Sequence, residues 1–268
     1  MKSTYPLLLV VFIAVSTRVN AQQNSVQPES GNSYSTYPKT ENNGPALNLV
    51  KVNLSALVLK NFSLQYERVL NKKFAAALAF RVMPASTLPF KRQILDAVGN
   101  DPDTREVVDN FRMSNIAITP EFRFYPGKKG YGRGFYLAPF YRYASFKSSR
   151  LIFNYTDGLG GQQSITLSGK LNSNTAGLLL GAQWPLGKML VLDWWILGPH
   201  YGAGSGKFTG LSSQPMNPIE QNDLRNELEN LDIPFTRKKV FVDANSARME
   251  LDGPWAGVRA GFSLGVKF

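Results

Sequence analysis

From residue 47 to the C-terminus, apolar and polar side chains alternate with a period of two, and this pattern constrains the fold more than any other feature of the chain. In one segment Ile116, Ile118, Pro120, Phe122 and Phe124 share a face, and Ala117, Thr119, Glu121 and Arg123 share the other. In a second, Phe62, Leu64 and Tyr66 oppose Ser63, Gln65 and Glu67. In the last, Ala256, Val258, Ala260, Phe262, Leu264, Val266 and Phe268 oppose Gly257, Arg259, Gly261, Ser263, Gly265 and Lys267. Successive side chains of a strand point to opposite faces, so this is the signature of strands with one apolar face. The spacing predicts eight, over 47–58, 61–70, 73–83, 114–125, 134–156, 162–184, 188–206 and 250–268. No apolar run beyond residue 21 reaches the roughly 18 residues of a transmembrane helix.

A soluble sandwich and a membrane barrel both alternate, and three features favour the barrel. The polar face is rich in Gly, Ala and Ser with single charges among them, which suits a narrow interior where small residues make room for ion pairs. Aromatic residues gather near segment ends, at Tyr125, Phe135, Tyr136, Trp184, Trp255 and Phe268, as interfacial girdles require. The connections alternate in length, and the two long ones, 84–113 and 207–249, fall at the same end. Lipid offers no partner to an open sheet edge, so such a sheet must close. The fold expected is all-β: a closed antiparallel eight-stranded transmembrane β-barrel with short helices in its extracellular loops.

The N-terminus reads as an export signal. Lys2 supplies the charge, Pro6–Val15 is an apolar run too short to span a bilayer, and Val19-Asn20-Ala21 forms a small-residue cleavage site. Residues 22–46, rich in Asn, Ser, Gln, Pro and Thr, carry no apolar period and read as a flexible periplasmic leader. The expected organisation is a signal peptide over 1–21, the leader over 22–46 and the barrel over 47–268, in the bacterial outer membrane. The absence of Cys excludes a disulfide scaffold, a zinc ribbon and a cysteine nucleophile.

The export signal, polar leader, eight strands and terminal stripe of Leu264, Val266 and Phe268 resemble a small OmpA-type outer-membrane barrel. The stretches KVNLSALVLKNFSLQYERVL, ITPEFRFYP, FYLAPFYRY and GPWAGVRAGFSLGVKF are similar, more specifically, to a family of Bacteroidota outer-membrane barrels labelled as a domain of unknown function. The resemblance covers residues 47–268 and implies that the terminal aromatic stripe is read by the barrel-insertion machinery. The leader and the long last loop depart from the OmpA pattern, so no OmpA-type function carries over through them.

Parity places Lys51, Asn53, Gln65, Glu67, Arg81, Glu121, Arg123, Arg142, Asp193, Arg259 and Lys267 on the inner face. The principal reading is a structural polar network of Glu67, Arg81, Glu121, Arg123, Arg142, Asp193 and Arg259. An eight-stranded ring is about wide enough for its own side chains, and buried charges must be paired. The other reading of these residues is an anion-selective channel. His200, the single histidine, falls by parity on the lipid face at the outer end of the seventh strand, with no nucleophile at alternating spacing. Gly202–Lys207 (GAGSGK) lacks both the leading Gly and the trailing Ser or Thr of a phosphate loop and reads as a glycine-rich strand end entering a loop. Asp101 and Asp103 lack the rest of a calcium loop and read as helix-start residues. No catalytic residue, metal ligand or cofactor is expected. The basic clusters Lys128, Lys129, Arg133 and Arg237, Lys238, Lys239 lack interleaved aromatics, so nucleic acid is not expected and anionic lipid headgroups or glycan phosphates are the better partners.

Residues 91–111 suggest short helical turns broken at Gly99 and Pro102. Residues 217–231 read as a helix capped by Asn217, opened by Pro218 and stopped by Pro234. Leu224, Leu228 and Leu231 then form one apolar stripe. That stripe packs over the barrel mouth or against the other long loop, or docks a protein partner. The function expected is a non-enzymatic outer-membrane protein in contact with lipid, with a structural or surface-interaction role alone or in a larger assembly. The alternative is a porin-like channel or transporter for anions or hydrophobic ligands.

Overall fold

The computed structural model describes residues 47–268 apart from 89, 98–104, 106–107, 157–160, 232 and 234. The expected signal peptide and leader lie outside the described residues, as do Gly99, Asp101, Pro102, Asp103 and Pro234. The chain is all-β, with nine strands: β1 (Asn48–Asn53), β2 (Phe62–Val69), β3 (Phe74–Ser86), β4 (Arg112–Phe124), β5 (Gly134–Thr156), β6 (Gln162–Leu186), β7 (Leu190–Leu211), β8 (Arg237–Val242) and β9 (Ser246–Lys267). Three described helices lie between strands: α1 (Leu54–Val58), α2 (Lys91–Ala97) and α3 (Pro218–Glu229). None is long and apolar enough to cross a membrane.

The sheet is antiparallel and closes in a ring. Pairing runs β1 through β7 in sequence order, then to β9, and β9 returns to β1 with Leu49 opposite Lys267 and Asn53 opposite Ser263. The sheet has nine strands where eight are expected, because β8 is an additional strand hydrogen-bonded to β9 alone while β1–β7 and β9 close the ring. Three consecutive basic residues, Arg237, Lys238 and Lys239, hide its short alternation. Their partners on β9 explain the pairing, since Arg237 faces Asp252 and Lys239 faces Glu250. The β8–β9 turn is held by Asp243, whose carboxylate accepts from the Asn245 and Ser246 N–H groups and the Ser246 hydroxyl, all of which hold its pKa below the usual value. The segment 207–249, expected to be a loop, is therefore partly wall: β7 continues to Leu211 and β9 begins at Ser246. Gly202–Lys207 is strand interior in the same way. At the other boundary, β1 stops at Asn53 rather than at residue 58, because the Asn53 side chain accepts the Ala56 N–H and caps α1.

Strand lengths divide the ring into unequal parts. β1 and β2 have 6 and 8 residues, whereas β5, β6, β7 and β9 have 22–25. Along each tall strand the polarity of the two faces inverts. On the lower half of β6, Leu178 and Leu180 are exposed on the outside while Ser173, Thr175 and Gln183 are buried inside. On its upper half, Ser164, Thr166, Ser168 and Lys170 are exposed outside while Ile165 and Leu167 are buried inside. β5, β7 and β9 repeat the pattern, with Phe135, Leu197 and Val258 outside below, and Leu151, Phe208 and Met249 inside above.

The upper inner face is a hydrophobic core, and α3 completes it. Asn217 caps α3 by accepting the Ile219 and Glu220 N–H groups, and Glu220 returns a bond to the Asn217 N–H. Leu224 and Leu228 are fully buried and Leu231 nearly so, against Leu151, Tyr155, Ile165, Phe208, Val242 and Met249. Of the two readings of the leucine stripe, cover by the chain itself or by a partner, the structure shows the first: Leu224, Leu228 and Leu231 are covered from within.

One edge of the wall is incomplete. β9 pairs with β8 over Ala247–Asp252 and with β1 over Ser263–Lys267, and among the described residues no strand is paired with that edge from Gly253 to Phe262. Pro254 has no N–H to leave unpaired there. The Phe262 N–H is taken by the Ser55 hydroxyl of α1, which lies against β9.

Leu228→Ala should remove the centre of the upper core, at a cost of about 2–5 kcal/mol to that region. Limited proteolysis should then cut between residues 212 and 236 more readily than in the wild type. The unfolding temperature of the lower ring should stay unchanged.

Candidate functional site

The ring encloses charge. Near the end that carries the turns Leu70–Lys73, Tyr125–Arg133 and Gly187–Met189, three carboxylates converge: Glu67 from β2, Glu121 from β4 and Asp193 from β7. Alternation puts each on the inner face, and the side chains of all three are fully buried. Arg123 sits among them. Its Nη1 donates to Glu67 at 2.9 Å and Asp193 at 2.8 Å, and its Nη2 to Glu121 at 3.0 Å and Gln65 at 3.0 Å. Lys51 donates to Glu67, to Gln183 and, at 2.7 Å, to Asp193. Arg259 donates to the second oxygen of Glu121 at 2.6 Å and lies over the rings of Phe140 and Trp195.

Aromatic side chains donate further bonds to two of the carboxylates. Tyr125 donates to Glu67 at 2.9 Å, Tyr136 to Asp193 at 2.7 Å and Trp195 to Asp193 at 3.2 Å. The Gln183 amide donates to the Gly132 carbonyl of the β4–β5 turn, tying the network to its floor. The arrangement joins five strands of the ring through three acids and three bases, Lys51, Arg123 and Arg259.

Of the seven residues expected in the network, Glu67, Glu121, Arg123, Asp193 and Arg259 are brought together as expected. Arg81 and Arg142 are not in it. They lie toward the end carrying the long connections, and among the described residues neither makes a direct ion pair, Glu121 acting on Arg142 only at longer range. Arg142 donates only to the Thr119 hydroxyl, at 3.2 Å, and the buried Arg81 Nε has no partner. Lys51 and Gln65 occupy the inner positions parity gave them. Asn53 is spent on the α1 cap, and Lys267 is half-buried at the end of β9.

Two groups stand elsewhere than the alternation indicated. Tyr125, Tyr136 and Trp255 belong to the inner face rather than to an interfacial girdle, and Trp255 packs against Phe146 across the interior. Extending inner-face parity to the strand ends would have found both tyrosines and Gln183. His200 also points inward. Leu180 pairs Leu197 and the next residue, Gly181, pairs Trp195, so β7 carries an extra residue near Ile196 that reverses its parity. His200 stands edge-on to Phe140 at 5.9 Å. Its Nδ1 is buried without a partner, and among the described residues no hydroxyl or carboxylate bonds to the ring. Among the described residues His200 therefore forms no nucleophile–base pair. Among the described residues no group of His, Asp and Glu is placed to hold a metal ion.

A second feature lies outside, on the tall strands. A groove of about 640 Å³ is flanked by Lys170, Lys207, Arg237 and Lys239, with Glu250 and Asp252 as the acids. The exposed Arg237–Asp252 bridge there, at 2.5 Å, is of the solvated kind that contributes little. The chain matches no protein-family model, no curated protein and no solved structure.

Asp193 accepts from Lys51, Arg123, Tyr136 and Trp195, so Asp193→Ala leaves two cations short of a buried partner. Breaking a buried ion pair from one side costs about 3–5 kcal/mol. The temperature at which the folded ring loses its faster gel migration should fall by several degrees, whereas Asp252→Ala on the exposed bridge should leave it within about one degree.

Proposed function

We propose that the chain is an outer-membrane β-barrel without catalytic activity, serving as a structural or surface-interaction protein, alone or in a larger assembly. Eight strands, β1–β7 and β9, form the transmembrane wall, in keeping with the resemblance to small OmpA-type barrels and to the Bacteroidota family.

The observation that carries the reading is the inversion of polarity along β5, β6, β7 and β9. A sheet immersed in water throughout has no use for an outer face of Phe62, Leu64, Leu78, Phe80, Ile116, Ile118, Leu178 and Leu264, all 37–59 % exposed. Burying such a face in lipid is favourable by about 25 cal/mol for each Å² of apolar area. Charges inside and apolar groups outside suit the hydrocarbon layer, and the reverse arrangement above suits water. A membrane strand needs about 9–11 residues; the tall strands have roughly twice that, so their upper halves stand clear of the bilayer, while β1 and β2, with 6 and 8, fall short of that span. Trp184, Trp194 and Phe262 stack on the outer face, with ring centroids 6.3 Å and 5.6 Å apart, as an anchor near the turn end.

Three properties favour a structural or interaction role over conduction. The interior is filled at the level of Lys51, Glu67 and Arg123 by fully buried side chains. The helix that could have been a docking arm is instead folded into the upper half. That upper half presents a polar, cation-bearing outer surface, with Lys170, Lys207, Arg237 and Lys239 around its groove. The surface-interaction role falls to this projecting part.

Fractionation of cells making the full chain should recover it in the outer membrane, processed to begin at Gln22. The purified protein should give no discrete current steps in a planar bilayer. A soluble periplasmic product overturns the membrane placement. Anion-selective steps would establish the channel reading instead.

A further inference from the structure

The interior charge does not balance. In the lower ring, beneath the upper core and apart from the half-buried Lys267 at the turn end, the described inward charges are five cations (Lys51, Arg81, Arg123, Arg142, Arg259) and three carboxylates (Glu67, Glu121, Asp193). All three acids are already engaged by Lys51, Arg123 and Arg259. Arg81 and Arg142 are left over. Arg81 lies opposite Ala117 of β4, Arg142 donates to Thr119 and Arg259 to Glu121, so the three guanidiniums gather along successive inner positions of one strand, above Arg123.

The cluster has unused donors. Arg142 and Arg259 are 9 % and 7 % exposed, yet Arg142 has one neutral partner and the Arg259 Nη1 has none. The buried Arg81 Nε is also unpaired. An uncompensated charge in an interior is costly, and three neighbouring ones repel as well. Guanidinium groups present paired N–H donors that match the oxygens of phosphate or carboxylate. We propose that Arg81, Arg142 and Arg259 bind an oxyanion, a phosphate or carboxylate group, which completes the charge balance of the interior.

The cluster lies beside the incomplete edge of the wall. Arg259 belongs to the stretch of β9 from Gly253 to Phe262 whose edge away from β7 is paired by no strand among the described residues, and Arg81 sits on β3 opposite Ser63, next to the first residue of β2. The anionic group is therefore either free in solution or the headgroup of a lipid that reaches the arginines through that edge. The headgroup source rests on the membrane reading; a free anion does not require it.

The experiment uses the mature chain folded in a zwitterionic detergent at low salt. Inorganic phosphate should raise the unfolding temperature saturably, and Arg142→Met or Arg81→Met should weaken the effect at least tenfold in midpoint concentration. Arg133→Met, an exposed turn residue, should leave it unchanged. Without added anion the first two variants should unfold at a higher temperature than the wild type, because repulsion is removed, the opposite of the Asp193 variant. In nanodiscs, a gain from phosphatidylglycerol over phosphatidylcholine that vanishes in Arg142→Met, with no response to inorganic phosphate, assigns the headgroup source. A wild type indifferent to both, or variants that respond like it, overturns the site. So does a failure of both variants to fold, since the arginines would then be structural. A soluble periplasmic product in fractionation refutes the membrane reading while leaving the phosphate arm standing.

Discussion

A narrow closed sheet has to fill its interior with groups that satisfy one another, and in this chain Arg123 meets that requirement. It is wholly buried and bonds to side chains from β2, β4, β6 and β7. Its guanidinium cannot be neutralised by losing a proton, so the carboxylates around it must stay charged and in place. Lys51 and Arg259 then follow, because three acids around one base leave two negative charges over. The tyrosines at the strand ends follow in turn, as donors for oxygens the bases do not reach. The staves of the lower ring hold their spacing because this cluster spans them.

The upper half obeys the opposite rule. Where the inner face turns from Thr175 and Ser173 to Leu167 and Ile165, the tall strands stop enclosing polar groups and begin enclosing apolar ones. An apolar interior needs a cover, and α3 supplies it with Leu224 and Leu228. The lower half keeps its apolar groups outside and its ion pairs inside, so the two halves suit different surroundings. Between them lies the level of Arg81, Arg142 and Arg259, where neither rule is fully met and the unpaired β9 edge opens.

Much of the lower ring was legible in the sequence. Strict alternation around Glu121 and Arg123 places both side chains inward whatever the details of pairing, because the period of a strand is exact. Asn217, Pro218 and Glu220 announce α3 for a similar reason: capping is a local interaction between neighbours in the chain. The reading failed where one residue changed the count. The extra residue near Ile196 turned His200 from the outer face to the inner, and β8 hid behind three basic side chains whose partners lie 11 to 15 residues away on β9.

By itself the sequence determined the strand periodicity, the inward charges and the capped helix, all of which depend on near neighbours and the two-residue repeat. The tertiary structure decided which inward charges meet. Glu67, Asp193 and Arg123 lie 56 to 126 residues apart and touch only because the ring closes. It also decided that the leucine stripe is covered from within, and that Arg81 and Arg142 are left without acids. Alternation assigns a side chain to a face. Only the register between strands assigns it a partner.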